Sequence, residues 1–388
     1  MQGNFPKHKY YKYVKIENKL YLCLYQNLVV LPWLIYFKGK ALGLSPKDFT
    51  EAFASLRRLL GWCKRLTRYA LPVCGKPPTV ELPFYGHLCL EVHCGYKVFD
   101  LRRESVTKIF KPEVDTATVL MEIERARAVS LYDFAPCIRD WNIEERWYKE
   151  DYVNGNPITS YTNGYPITSS DPTKDPTTFL ETYYQYIAPC IENLILAQSP
   201  QTIIVNTYID EFFDIISKKL QGHRTDEDEV FKINQFIGSI VKKLRRYGNH
   251  QIHIVLSHGD FGNNHVIKDK YSLKVIDWEY MSHRSILFDL YNCFLEQLFF
   301  KRMVPNLVEQ IYGAISELRG RLMTKSSKMA DDLLPLAHIY RWLFYIERIC
   351  SDMEYPGLNM YGKLLWIDAF KRFEEMTTNG IQHNTVLI

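Results

Sequence analysis

Two acidic triplets, His258-Gly259-Asp260 and Asp277-Trp278-Glu279, each close a short apolar run, and they constrain this chain more than any other feature. The first follows residues 252–256 and the second follows residues 273–276, so that Asp277 comes 17 residues after Asp260. Short apolar runs bounded by turn-forming residues read as buried strands. A hairpin turning at 269–272 would bring the chain back and set both carboxylates at adjacent strand ends of one small sheet. Such a pair suits phosphoryl transfer: one acid orients and deprotonates an attacking hydroxyl, and the other holds magnesium on the phosphates. Either triplet alone is a turn and a strand-end cap. Two in order, each behind a strand, point to one site.

This order resembles the aminoglycoside phosphotransferase and choline kinase family, the small-molecule branch of the protein-kinase-like fold. Members carry His-Gly-Asp, then a metal-binding Asn, then an apolar strand ending in Ile-Asp-Trp/Phe-Glu; here that strand ends Ile276-Asp277-Trp278-Glu279-Tyr280. The resemblance implies an α+β, protein-kinase-like two-lobed fold, with a small, mainly antiparallel β N-lobe and a larger helical C-lobe. It implies ATP and Mg2+ as cofactors, Asp260 as catalytic base and Asp277 as magnesium ligand. Glu279 would bind metal or a cationic acceptor, while a surface glutamate is the plain alternative. His258 would pack under the catalytic loop, and Asp289, at a helix start, would brace it.

One position departs from the family pattern. The metal-binding Asn is expected five residues after the catalytic Asp, where this chain has His265, with Asn263 and Asn264 just before it. Imidazole is a poor ligand for magnesium, which prefers oxygen. Either the loop is one residue shorter and Asn264 serves, or His265 binds a softer metal, or the second metal is lost. Asn264 is the preferred reading. Loss of the metal would leave a slow kinase, or a pseudokinase that binds nucleotide or partners without transfer.

Upstream, residues 88–92, 96–101 and 105–110 read as a meander of strands, followed by a helix over 116–129. By resemblance Lys108 is the phosphate-binding lysine, steered by a carboxylate from that helix. Glu122 is preferred to Glu124 because Ala126 and Val129 continue its face at +4 and +7. Gly95, at a tight turn, would cradle phosphates with backbone N–H groups. Strands over 138–141 and 146–153 lead into Asp151, Tyr152 and Val153, which resemble the hinge whose backbone amides bind adenine. A near-repeat follows, Asn154-Gly155-Asn156-Pro157-Ile158 against Asn163-Gly164-Tyr165-Pro166-Ile167, and reads as a surface loop or hairpin insertion. From residue 176 the pattern is mostly helical, with helices over 226–247, 286–303, 304–323, 329–354 and 361–377.

The resulting division is a basic N-terminal extension (1–75), an N-lobe (76–153) and a C-lobe (154–388) that holds the catalytic loop and acceptor pocket. Residues 1–75 carry a charge balance of +10 and the rest −6. A basic amphipathic helix is expected over 46–69, with Arg57, Arg58, Lys64 and Arg65 outside its apolar stripe. It would pack on the N-lobe or meet an anionic membrane surface or a phosphorylated acceptor, though a solvated face explains the charge equally. Tyr10, Tyr11 and Tyr13 among lysines would fit stacked bases, but such a pattern more often forms a strand, and nucleic acid is not the expected partner. No basic-then-apolar leader opens the chain, and no apolar run is long enough to span a bilayer. The nine cysteines include no C-x-x-C pair, so reduced thiols and a cytoplasmic protein, peripheral to a membrane at most, are expected. The small-molecule hydroxyl substrate is open among amino alcohols, aminoglycosides and sugars or glycan precursors.

Overall fold

Tyr13 and Val14 are neighbours in sequence, and both are buried, on opposite faces of one sheet. Alternate side chains along a strand point to opposite faces, so a strand covered on both sides buries consecutive residues. The computed structural model describes residues 10–17, 19–25, 78–158, 176–222, 227–262, 265–269, 272–299, 306–354 and 360–383. The chain divides into two compact units, Met1–Pro166 with Val266–Glu279, and Ile167–His265 with Tyr280–Ile388.

The first unit is built on an eight-stranded antiparallel sheet. Its strands are β1 (Tyr11–Glu17), β2 (Leu20–Cys23), β3 (Thr79–Leu82), β4 (Leu88–Val92), β5 (Gly95–Asp100), β6 (Ser105–Phe110), β7 (Ile138–Asn142) and β8 (Trp147–Asp151), in the order β3-β1-β2-β4-β5-β6-β8-β7. The meander and the helix α1 (Thr116–Val129) match the sequence expectation. The extent of the sheet does not. The sequence reading placed residues 1–75 outside the N-lobe, yet Tyr11–Glu17 and Leu20–Cys23 lie inside the sheet, paired with β3 and β4. β3 and β4 come more than fifty residues later in the chain, and local patterning does not register such contacts. The expected basic helix over 46–69 lies outside the described residues.

The second triplet follows a separate three-stranded sheet of this unit, β13-β12-β9, formed by β9 (Asn156–Pro157), β12 (Val266–Lys268) and β13 (Leu273–Val275). The hairpin is closed by the Asp269 amide donating to the Ser272 carbonyl at 3.0 Å. Asn156 and Pro157, expected in a surface loop, pair with Lys268 and Ile267; Pro157 is tolerated because β9 is an edge strand.

The second unit carries the sheet β10-β11-β14, from β10 (Gln201–Ile204), β11 (Gln251–Ser257) and β14 (Ser282–Ser285). The two acids therefore follow strands of two different sheets, which corrects the single small sheet expected from sequence. Helices supply the rest: α2 (Pro176–Thr182), α3 (Ala188–Ala197), α4 (Val205–Gly222), α5 (Glu227–Leu244), α6 (Phe288–Phe299), α7 (Leu307–Met323), α8 (Ser327–Leu333), α9 (Ala337–Glu354) and α10 (Met360–His383). The single helix expected over 329–354 is divided between α8 and α9, with Pro335, which has no N–H to donate, in the gap. The content is that of the α+β, protein-kinase-like plan: among the described residues, antiparallel sheets with the helix α1 in the first unit and a largely helical second unit. Among the described residues, no helix is long and apolar enough to cross a membrane, and the described cysteines are free.

Candidate active site

In the first unit the chemistry is concentrated on one face of the large sheet. Lys97 of β5 is directly opposite Lys108 of β6, which is in turn opposite Tyr148 of β8. Glu150, two residues beyond Tyr148, shares that face. Like charges facing each other across strands repel, so the arrangement requires nearby acids. They come from α1 and from the segment after β13. Lys108 pairs with Glu122 and, at 2.8 Å, with Glu279, while Lys97 Nζ lies 2.8 Å from Asp277 Oδ1. Tyr148 donates its hydroxyl to Glu122 at 3.2 Å. Lys97, Glu122, Tyr148, Glu150, Asp277 and Glu279 line one cleft.

The local structure explains how these groups are held. Glu122 lies on the buried face of α1 with Val119, Ile123, Ala126 and Val129, whereas Glu124 is exposed. Asp115 caps that helix, accepting from the Thr118 amide at 2.8 Å. Asp277 sits at φ 71°, a left-handed conformation that Asp tolerates better than most residues. The Glu279 carbonyl accepts from Arg125 Nη1 at 2.6 Å, and the Trp278 indole donates to the Val275 carbonyl at 2.8 Å, so the triplet is fastened on both sides of its acids.

Burial works against the charge on Lys108, but Glu122 and Glu279 outweigh it and hold the ammonium well above its ordinary pKa. Burial likewise opposes charge on Lys97, and Asp277, with Glu279 and Glu150 behind it, raises its pKa above the ordinary value all the same. The acids respond in the opposite sense. Burial raises Glu279, with Lys108 pulling it back. It pushes Glu150 up to about 7, opposed by Lys97 and reinforced by Asp277.

In the second unit, the His258-Gly259-Asp260 turn hangs from Asp289 of α6. The buried Asp289 carboxylate accepts from the Ser257 hydroxyl (3.1 Å), the His258 amide (2.9 Å) and the Gly259 amide (3.1 Å). Burial raises its pKa and these amide donors work the other way. Gly259 has φ 86°, and a Cβ there would stand 2.2 Å from the Tyr280 carbonyl oxygen, so only glycine fits. The fully buried His258 accepts from the Asp260 amide through Nδ1 at 3.3 Å. Asp260 keeps a more open carboxylate, with side-chain exposure of 38 %.

His265 Nδ1 donates to the Asp260 carbonyl at 2.7 Å, and its ring stacks on His258 at 5.4 Å. That nitrogen is occupied in holding the turn. Asn264, preferred for the metal, lies outside the described residues, as does Asn263. Sequence reasoning missed Arg348 of α9. Its Nη1 donates to the Gly259 carbonyl (3.0 Å) and the Asn292 side chain (3.2 Å) and lies 3.5 Å from Asp260 Oδ1, while Nη2 pairs with Asp352 at 3.0 Å. No short motif marks it, since it arrives from 88 residues away.

Four sequence-predicted cofactor residues fare differently. The Asp151 amide donates to the Cys137 carbonyl (2.9 Å) and the Tyr152 amide to the Glu104 carbonyl (3.0 Å), so neither is available to adenine. Val153 follows them directly. Gly95 is explained by the sheet: a Cβ there would lie 1.9 Å from the Ile109 carbonyl oxygen, and close strand approach alone demands glycine. Lys97, Tyr148 and Glu150 were also missed, although the β5–β6 register contains the signal for Lys97.

The residues fit magnesium. Among the described residues no group of three or more His, Cys, Asp or Glu is close enough to hold a metal by itself. Magnesium on a nucleotide needs one or two protein carboxylates, with phosphates and water completing the octahedron, and Asp277 and Glu279 supply that number.

No family model and no curated protein matches the chain. Solved structures do. The choline kinase LicA from Streptococcus pneumoniae matches over 72 % of this chain and 90 % of its own, at 15 % identity and a TM-score of 0.44. A Plasmodium vivax ethanolamine kinase matches over 71 % and 77 %, at 16 % identity and a TM-score of 0.42. A glucosamine kinase in complex with glucosamine, ADP and inorganic phosphate matches over 72 % and 78 %, at 11 % identity and a TM-score of 0.40. At these values residue roles rest on this chain's own geometry.

Proposed function

We propose that this protein is an ATP-dependent phosphotransferase that moves the γ-phosphate to a hydroxyl of a small molecule. The observation that carries this reading is the face bearing Lys97 and Lys108, each ammonium 2.8 Å from an acid of the Asp277-Trp278-Glu279 segment. A fixed pair of cations beside a strand-end carboxylate suits a nucleotide triphosphate and its metal. Asp277, with Glu279, would hold magnesium, which would offset the negative charge that develops during transfer.

Asp260 is assigned to the acceptor. Its carboxylate accepts a hydrogen bond from the attacking hydroxyl and orients it. The hydroxyl oxygen forms a bond to the γ-phosphorus as the bond to the leaving oxygen of ADP breaks, and the proton passes to Asp260. Because such transition states are loose, orientation contributes more than early proton removal, and a raised pKa is not required. Asp289, His258, His265 and Arg348 are positioning residues that fix the turn carrying Asp260. Amino alcohols, aminoglycosides and sugars remain the acceptor classes, as in the kinases of similar fold.

A second reading is a nucleotide-binding protein without transfer, favoured by the Lys97 contact that neutralises Asp277. The test is thermal stability with ATP, with and without magnesium, followed by a screen of hydroxyl acceptors for ADP release. Metal-enhanced stabilisation with acceptor-dependent ADP release supports the enzyme. Stabilisation by ATP alone, with no ADP from any acceptor, supports the second reading.

A further inference from the structure

Lys97 has no role in the motif comparison, yet its position is tightly defined. Its ammonium is directly opposite Lys108 and contacts Asp277 at 2.8 Å, with side-chain exposure of only 14 %. Lys108 has two acids at hand, Glu122 and Glu279, whereas the close ion-pair partner of Lys97 is Asp277. Asp277 is also the carboxylate assigned to the metal. A divalent ion and the Lys97 ammonium therefore compete for the same carboxylate. Two cations on one half-buried carboxylate are unfavourable unless further negative charge arrives with the second. A nucleotide triphosphate brings that charge.

We propose that Lys97 is a second phosphate-binding lysine that occupies Asp277 until a nucleotide arrives, and then passes from that carboxylate to the phosphates as metal takes its place. The proposal rests on the phosphotransfer reading and deepens it. Metal and nucleotide then bind cooperatively, because each removes the obstacle to the other. Metal alone must displace Lys97 with nothing to receive it. Nucleotide alone must draw Lys97 away from Asp277 and break that ion pair with no cation to replace it.

The experiment compares wild type, Lys97→Met and Asp277→Asn, with two probes. Manganese(II) alone is titrated and followed by electron paramagnetic resonance, and ATP is titrated by calorimetry with magnesium or with EDTA. Lys97→Met should bind manganese alone about tenfold more tightly than wild type and magnesium–ATP about tenfold more weakly, each equivalent to about 1.4 kcal/mol. Asp277→Asn should lose manganese binding yet bind metal-free ATP several-fold more tightly, because Lys97 is released to the phosphates. This second variant also decides the matter if Lys97→Met does not fold. Unchanged manganese and nucleotide affinities in Lys97→Met, or metal-free ATP binding in Asp277→Asn no tighter than wild type, would overturn the role of Lys97 while leaving phosphotransfer intact. Wild type that binds neither magnesium–ATP nor metal-free ATP would overturn both.

Discussion

Lys97 and Lys108 face each other across β5 and β6, and each ends 2.8 Å from a carboxylate of the segment after β13, Asp277 for Lys97 and Glu279 for Lys108. The sheet thus presents two cations side by side, and the returning hairpin presents two acids two residues apart. Neither half is stable alone in a buried setting.

The first consequence concerns Lys108 and Glu122, whose side chains are each only 1 % exposed. Removing one partner strands the other charge away from water, at a cost of about 3–5 kcal/mol. Lys108→Met should therefore lower the free energy of unfolding by that amount in urea titration, as well as weaken nucleotide binding. A combined Lys108→Met/Glu122→Met variant should recover much of the stability but none of the binding. A loss in the double variant equal to the sum of the losses in Lys108→Met and Glu122→Met alone would show that the pair is not energetically coupled.

How much of this was legible beforehand depends on sequence distance. The hairpin between the acids, the meander, helix α1 and the choice of Glu122 over Glu124 follow from local periodicity. Lys97 was missed through register. The sequence reading extends that strand to residue 101, but it ends at Asp100, whose carboxylate accepts from the Arg102 and Arg103 amides at 3.1 Å and sets a four-residue turn. That turn pairs Asp100 with Ser105 and hence Lys97 with Lys108; extending the strand by one residue would have paired Val98 there. The amides of Asp151 and Tyr152 looked available because their acceptors, Cys137 and Glu104, are set by pairing that no motif records.

Asp277→Asn tests the metal assignment without disturbing the backbone, because Asn adopts the φ of 71° as readily as Asp does. Magnesium-dependent turnover should fall by at least about a hundredfold, since a lost metal contact removes several kcal/mol of charge stabilisation. Circular dichroism should stay unchanged. Turnover within a few-fold of wild type would remove Asp277 from the site. Asp260→Asn should abolish acceptor phosphorylation while nucleotide affinity, measured by calorimetry, survives.

The His265 contact predicts a particular kinetic signature. Its Nδ1 holds the Asp260 carbonyl, so His265→Ala should loosen the turn and lower kcat, about tenfold, while leaving the magnesium concentration needed for half-maximal rate unchanged. Asn264→Ala should instead raise that magnesium requirement. A raised requirement in His265→Ala, with Asn264→Ala indifferent, would move the metal position to His265.

Glu150 gives a pH test of the charged face. Burial raises its carboxyl from the ordinary 4.5 to about 7, with Lys97 pulling down and Asp277 pushing up. The folded protein thus holds this proton more tightly than the unfolded chain does. The resulting stabilisation is complete below about 4.5, declines as pH rises and is gone above about 7. Within that window the slope reaches about 1.4 kcal/mol per pH unit, for a total of a few kcal/mol. Glu150→Gln cannot ionise and lacks this component. Its stability in urea should stay flatter than that of wild type between about pH 5 and about pH 7, and at about pH 8 it should exceed wild type by roughly 1–3 kcal/mol. Parallel curves for the two proteins would mean that Glu150 ionises as easily folded as unfolded.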